Sequence, residues 1–187
     1  LKTIKALARA EVAVLMLDAA EGLTGQDLRI IGLIEDQGKG CLVLVNKWDL
    51  VEKDSKTADK FKKEILETLA PIDYLPIIFA SVLTKQRIFQ VIEKTVQVYA
   101  NKTKKIPTAK LNDVMLPEIE SHPPPSVKGK MIHIKYITQV NARFPSFVFF
   151  CNLPQYIQPS YERFLENKLR DNFDFEGVPL RLIFRKK

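Results

Sequence analysis

The chain has 187 residues, 46% of them apolar, and a formal net charge of +7. That length suffices for one large or two small domains, and no apolar run approaches the roughly 20 residues of a membrane-spanning helix, so no membrane span is expected. Two cysteines, Cys41 and Cys151, and two histidines, His122 and His133, are too few and too scattered for a disulfide framework or a metal site. Both cysteines lie in apolar runs and read as reduced core thiols of a cytosolic protein. No signal peptide pattern is visible, and the start at Leu1 reads as a fragment boundary.

In chain order, Leu1 to Ala10 carries apolar residues at Leu1, Ile4 and Leu7, the spacing of one helical face. Val12 to Leu17 is a short apolar run ending at Asp18 and predicts a buried strand. Glu21 to Gly25 is a loop, and Thr24 with Asp27 three positions on has capping-box spacing for the next helix. That helix is expected to reach Gln37 and stop at Gly38. Cys41 to Val45 is a second buried strand, rich in β-branched residues. Val51 to Lys56 is a polar loop. Thr57 to Ala70 is an amphipathic helix through Phe61, Ile65, Leu66 and Leu69. Pro76 to Ala80 is a third buried strand, and Gln86 to Lys102 another amphipathic helix. Strands alternating with helices imply a parallel sheet with right-handed crossovers.

Asn101 to Pro107 is charged and ends in proline, so a linker is expected there, dividing the chain into residues 1–104 and 105–187. In the second part, Thr108 to Glu120 predicts a helix that Pro117 kinks or ends early. Ser121 to Lys130 is an extended loop. Met131 to Val140 and Ser146 to Cys151 predict a hairpin across Asn141 to Pro145. Pro159 to Asn172 predicts a helix, and Val178 to Phe184 a last strand. The order α-β-β-α-β implies a small α+β sandwich with helices on one sheet face.

Residues 1–105 carry 17 basic and 14 acidic side chains, a balance of +3; residues 106–187 carry 12 and 8, a balance of +4 on fewer residues. This density suggests a polyanionic partner, RNA more than a membrane surface.

The second strand ends at Asn46-Lys47-Trp48-Asp49, and in open α/β sheets ligands bind outside the carboxyl ends of strands. The N-K-x-D pattern resembles the guanine-specificity loop of GTPases. Guanine presents N1–H and its exocyclic amine side by side, and one carboxylate at Asp49 accepts both. Adenine lacks the amine and would leave that carboxylate unpaired. Asn46 is expected to hold the loop and reach the purine's other edge, and the stem of Lys47 to cover the base. The indole of Trp48 is expected to pack outside the pocket. After the third strand, Ser81-Val82-Leu83 is similar to the S-A-x loop whose backbone N–H groups take the guanine O6, with Val82 where alanine is usual.

A phosphate-binding loop, G-x-x-x-x-G-K-S/T, cradles phosphates and places a hydroxyl on magnesium. None is present. Gly32 to Gly40 has one residue too many, lacks the hydroxyl and runs from helix into strand. Asp174 to Gly177 has the form D-x-x-G, but it precedes the last strand of the other part and reads as a turn.

The succession LKTIKALARAEVAVLMLDAAEGLTGQD, VNKWDL and PIIFASVLTKQRI resembles the second GTPase domain of the Der (EngA) tandem GTPases of bacteria. The tail PSFVFFCNLPQYIQPSYERFLENKLRDNFDFEGVPLRLIFRKK looks like that family's C-terminal KH-like domain. The resemblance covers nearly the whole chain. It implies an α/β fold, a partial P-loop GTPase domain followed by a KH-like domain. It also implies GTP and GDP as ligands, magnesium only together with the missing phosphate-binding half, and a cytoplasmic GTPase acting on rRNA in assembly of the large ribosomal subunit, with no DNA partner. Lys85 departs from the family's usual glycine. No catalytic residue is expected in this chain, which is expected to be inactive alone.

KH domains that clamp RNA use a G-x-x-G loop, and the sole G-x-x-G here, Gly22 to Gly25, lies in the first part. RNA contact is therefore expected through phosphates, with Lys128, Lys130, Lys135, Arg143, Arg181, Arg185, Lys186 and Lys187 as candidates. Phe144, Phe147, Phe149 and Phe150 are expected to be core. The alternative is a non-catalytic module that binds RNA or ribosomal protein and keeps a remnant guanine half-site. A purely structural domain is a third option.

Overall fold

In the computed structural model, which describes residues 2–186 apart from 53, 55 and 128 (side chains from residue 5), the chain divides into two compact units. The first comprises residues 1–102 with 176–179, the second residues 103–175 with 180–187.

The first unit is built on a parallel sheet of β1 (Val12–Asp18), β2 (Gly40–Asn46) and β3 (Ile77–Phe79), in that spatial order. All of β2 except Asn46 is buried, as its unbroken apolar run requires of a strand covered on both faces. One face of the sheet, with Leu15, Leu17, Val43 and Val45, packs against Ile31 and Ile34 of α2 (Gly25–Asp36) and Ile65 and Leu69 of α3 (Thr57–Leu69). On the other face Leu42 and Leu44 pack with Val91 of α4 (Ile88–Thr103). A short helix, α1 (Lys2–Arg9), leads into β1. α2 starts on the expected capping box: Thr24 N–H donates to Asp27 Oδ2 at 2.9 Å, and Asp27 N–H to Thr24 Oγ1 at 3.4 Å.

The second face is incompletely covered at β1. Val14 and Met16 lie in register with Leu42 and Leu44, so they point the same way, yet Met16 is 54% exposed. Along α4, Phe89, Ile92, Val96 and Tyr99 recur at helical spacing and are also exposed, Phe89 by 79%.

The second unit is a three-stranded sheet of β4 (Ile134–Val140), β5 (Ser146–Cys151) and β6 (Arg181–Lys186), with α5 (Thr108–Ser121) and α6 (Pro159–Phe173) in the expected α-β-β-α-β order. β4 and β5 are antiparallel; β5 and β6 are parallel. Ile137, Phe147, Phe149, Leu182 and Phe184 face a core with Leu111 and Met115 of α5 and Leu165 and Leu169 of α6. The Asn112 side chain donates to Ile137 O and accepts from Ile137 N–H, at 2.7 and 2.8 Å, so it satisfies backbone groups that an edge strand leaves open.

Several sequence expectations are corrected. The linker was expected from Asn101, but α4 runs to Thr103: buried Asn101 donates to Glu176 O at 3.1 Å, and buried Lys102 pairs with Glu11. Pro117 does not end α5 early, since the helix continues to Ser121. The hairpin's first strand starts at Ile134 rather than Met131, and Trp48–Leu50 forms a 3-10 turn that no periodicity signalled. The last strand starts at Arg181 rather than Val178, because residues 176–179 pack with the first unit. There Gly177 accepts the Cys41 N–H and donates to Tyr74 O, both at 2.8 Å.

Of the four expected core phenylalanines, Phe147 and Phe149 are fully buried. Phe150 faces away from that core and stacks on Tyr136, and Phe144 lies under Arg181.

Candidate functional site

The carboxyl ends of β1, β2 and β3 bring three loops together. Asp18 and Asn46 are register partners at the ends of β1 and β2, and Ala19 N–H donates to Asn46 O at 3.0 Å. Beyond Asn46 the chain turns through Lys47 at φ 61°, in the left-handed region, and enters the 3-10 turn that carries Asp49.

Trp48 anchors this turn. Its ring lies 4.3 Å from that of Phe79 and 5.7 Å from that of Phe61, inside the core rather than on the loop's rim. Its N–H donates to Ala80 O at 3.2 Å. With Trp48 held inward, Asp49 stays half-exposed, and among the described residues no group hydrogen-bonds its carboxylate. A carboxylate left open at the end of a buried strand is suited to accept two donors from a planar ligand.

Asn46 joins this loop to the one after β3. Its Oδ1 accepts the Val82 N–H at 3.0 Å, and its Nδ2 lies 3.7 Å from Met16 Sδ. Ser81 is fully buried; its N–H donates to Gln86 O at 3.2 Å, and its Oγ accepts the Thr84 N–H at 3.1 Å. The Ser81 and Val82 amides are thus engaged within the protein, whereas Leu83, 87% exposed, has no hydrogen-bond partner for its N–H among the described residues. Lys85 and Arg87 follow at φ 59° and 58°, in the region that favours glycine.

Lys47 takes a position that its sequence neighbours did not indicate. Its Nζ lies 2.5 Å from Asp18 Oδ2. The Lys47 hydrogen bond, with a smaller contribution from the Ala20 N–H, holds the Asp18 carboxyl below its usual value, and Asp18 in turn raises the Lys47 ammonium. Sequence reasoning missed Asp18. The available signal was an acidic residue ending the buried strand that precedes β2.

The phosphate candidates are spread over the second unit. Arg181, Arg185 and Lys186 are exposed on β6, Lys135 on β4, Arg143 in the loop after β4, and Lys130 in the turn before it. Lys128 and Lys187 lie outside the described residues.

Residues 2–101 match the family described as the Elongation factor Tu GTP binding domain, and residues 105–185 match the KH-domain-like region of EngA bacterial GTPase enzymes, C-terminal. Over 187 residues the chain is 54% identical to GTPase Der of Cytophaga hutchinsonii and 55% identical to GTPase Der of Amoebophilus asiaticus. In both cases all of this chain aligns, and it spans 43% of the relative's length. Among solved structures, Era of Aquifex aeolicus bound to GDP.AlF4- is 20% identical with a TM-score of 0.45, over 98% of this chain and 67% of that one.

Proposed function

The chain belongs to the Der (EngA) family of GTPases, and from that membership we propose that residues 1–104 are the guanine-reading half of a GTPase domain and residues 105–187 its KH-like companion. The whole protein then binds GTP and GDP and hydrolyses GTP in the cytoplasm of a bacterium, acting on rRNA during assembly of the large ribosomal subunit. The observation that carries this reading is the open Asp49 carboxylate beside an Asn46 side chain tied to the Ser81-Val82-Leu83 loop.

In this reading Asp49 accepts guanine N1–H and the exocyclic amine, and the Leu83 N–H is the amide available to O6. Lys47 is steadied by Asp18 at the mouth of the site. Magnesium supplies charge neutralisation at the phosphates when bound. Its ligands and the phosphate cradle belong to a part of the protein that precedes these residues. Two features support such a part: the relatives are longer than this chain, and the bare apolar surface formed by Val14, Met16 and α4 is what a further strand and helix would cover.

It follows that the 187-residue chain alone hydrolyses no GTP and binds it weakly, because phosphoryl transfer depends on the phosphate and metal contacts. The experiment is a comparison of GTP turnover by this chain and by the full-length protein. Turnover by the full-length protein alone agrees with the reading. Turnover by the isolated chain that Asp49→Ala abolishes would falsify it.

A further inference from the structure

We propose that the face of the β4–β5–β6 sheet turned away from the helices is a platform for single-stranded RNA, on which an unpaired base stacks against Tyr136 and Phe150 while Arg185 and Arg181 meet the phosphates. This rests on the RNA reading above and assigns it a surface and a mode of contact.

Strand side chains alternate between faces. Phe149 and Phe184 point into the core, so Phe150 and Arg185, paired in register, point out. Tyr136 is the register partner of Phe150 on the other side, and the row Tyr136, Phe150, Arg185 crosses the three strands. The irregularity between Ile134 and Tyr136 makes Lys135 the extra residue of a bulge, which keeps Tyr136 on the outer face. The Tyr136 and Phe150 rings stack with centroids 4.4 Å apart and planes 16° apart, and both side chains are half-buried, so part of this aromatic surface faces solvent. Four residues back along β6, exposed Arg181 sits over the Phe144 ring at 4.9 Å.

Charge decides the partner. The three strands carry Lys135, Arg181, Arg185 and Lys186 and no acidic residue. A basic sheet with a stacked aromatic pair complements a polyanion that also offers flat rings. Duplex RNA keeps its bases inside the helix and cannot use the pair, whereas a single strand can. Stacking tolerates any base, which fits a unit lacking the G-x-x-G clamp.

The test measures binding of the 187-residue chain to oligomers of about 12 nucleotides, poly(A), poly(U) and an abasic strand with the same phosphates, across a salt series. Base-bearing strands are expected to bind about tenfold tighter than the abasic one. Tyr136→Leu, which keeps apolar volume, should remove that difference and leave the salt slope unchanged. Reversing the charge of Arg181, Arg185 and Lys186 should instead reduce the slope. Equal binding of abasic and base-bearing strands by the unsubstituted chain overturns the platform but leaves RNA binding through phosphates standing, and it requires no variant to fold. Failure of every oligomer to bind at low salt overturns the RNA reading itself.

Discussion

Asn46 Oδ1 accepts the Val82 N–H at 3.0 Å across 36 residues of chain, so one side chain sets the spacing between the two loops at the carboxyl edge of the sheet. Asn46→Ala would leave that amide to water and let the Ser81-Val82-Leu83 loop drift from Asp49. The expected loss is about 1 kcal/mol of stability, the usual net worth of a hydrogen bond. Hydrogen exchange at Val82 is the specific readout: protection there should fall, while protection along β2 stays.

Asp49→Asn in the full-length protein should shift base preference from guanine to xanthine. Xanthine carries a carbonyl where guanine has its amine, and an amide donates to it where a carboxylate cannot. GTP affinity should fall by about a hundredfold, the equivalent of losing charge-assisted hydrogen bonds. Competition between GTP and XTP measures this, and unchanged selectivity would show that Asp49 does not read the base.

Lys85 occupies φ 59°, a conformation costing a residue with a Cβ roughly 1–2 kcal/mol relative to glycine. Glycine is itself more flexible when unfolded, which takes back part of the gain. Lys85→Gly should therefore stabilise the chain by about 0.5–1 kcal/mol, and the midpoint of thermal unfolding should rise by about 2 °C. Lys85→Val should lower it, since β-branching suits a positive φ least.

Gly177 has φ 77°, and a Cβ built on it would lie 2.6 Å from Val98 Cγ2 and 2.9 Å from Cys41 O. Its backbone also bridges Cys41 and Tyr74. Gly177→Ala should cost about 2–4 kcal/mol through strain and the lost close approach. Chemical denaturation should show the first unit weakened, although the substitution lies in the last dozen residues of the chain.

Glu11 meets the ammonium of buried Lys102, whose hydrogen bond holds the Glu11 carboxyl below its usual 4.5. A depressed carboxylate contributes its full stability above the usual value and loses it as pH falls through the lowered one. The Glu11 side chain is 55% exposed, so solvent screening limits the contribution to about 1 kcal/mol. Between pH 7 and 3 the unfolding midpoint of the parent chain should drop more than that of Glu11→Gln. The two curves should converge at the acidic end.

What the sequence determined by itself was local. Three apolar runs between amphipathic helices marked the parallel sheet, Thr24 with Asp27 marked a helix start, and Asn46 to Asp49 after a buried strand marked the loop proposed to read guanine. Each of these signals sits within one element and follows from its periodicity or its cap. Residues brought together from separate elements were settled by the tertiary structure: Asp18 beneath Lys47, Asn112 on the edge of β4, Gly177 between Cys41 and Tyr74. The phenylalanines show why. Phe149 and Phe150 are adjacent and chemically identical, but the pleat sends one into the core and the other onto Tyr136. Which face is which depends on where α5 and α6 pack, and that depends on burial summed over the whole unit.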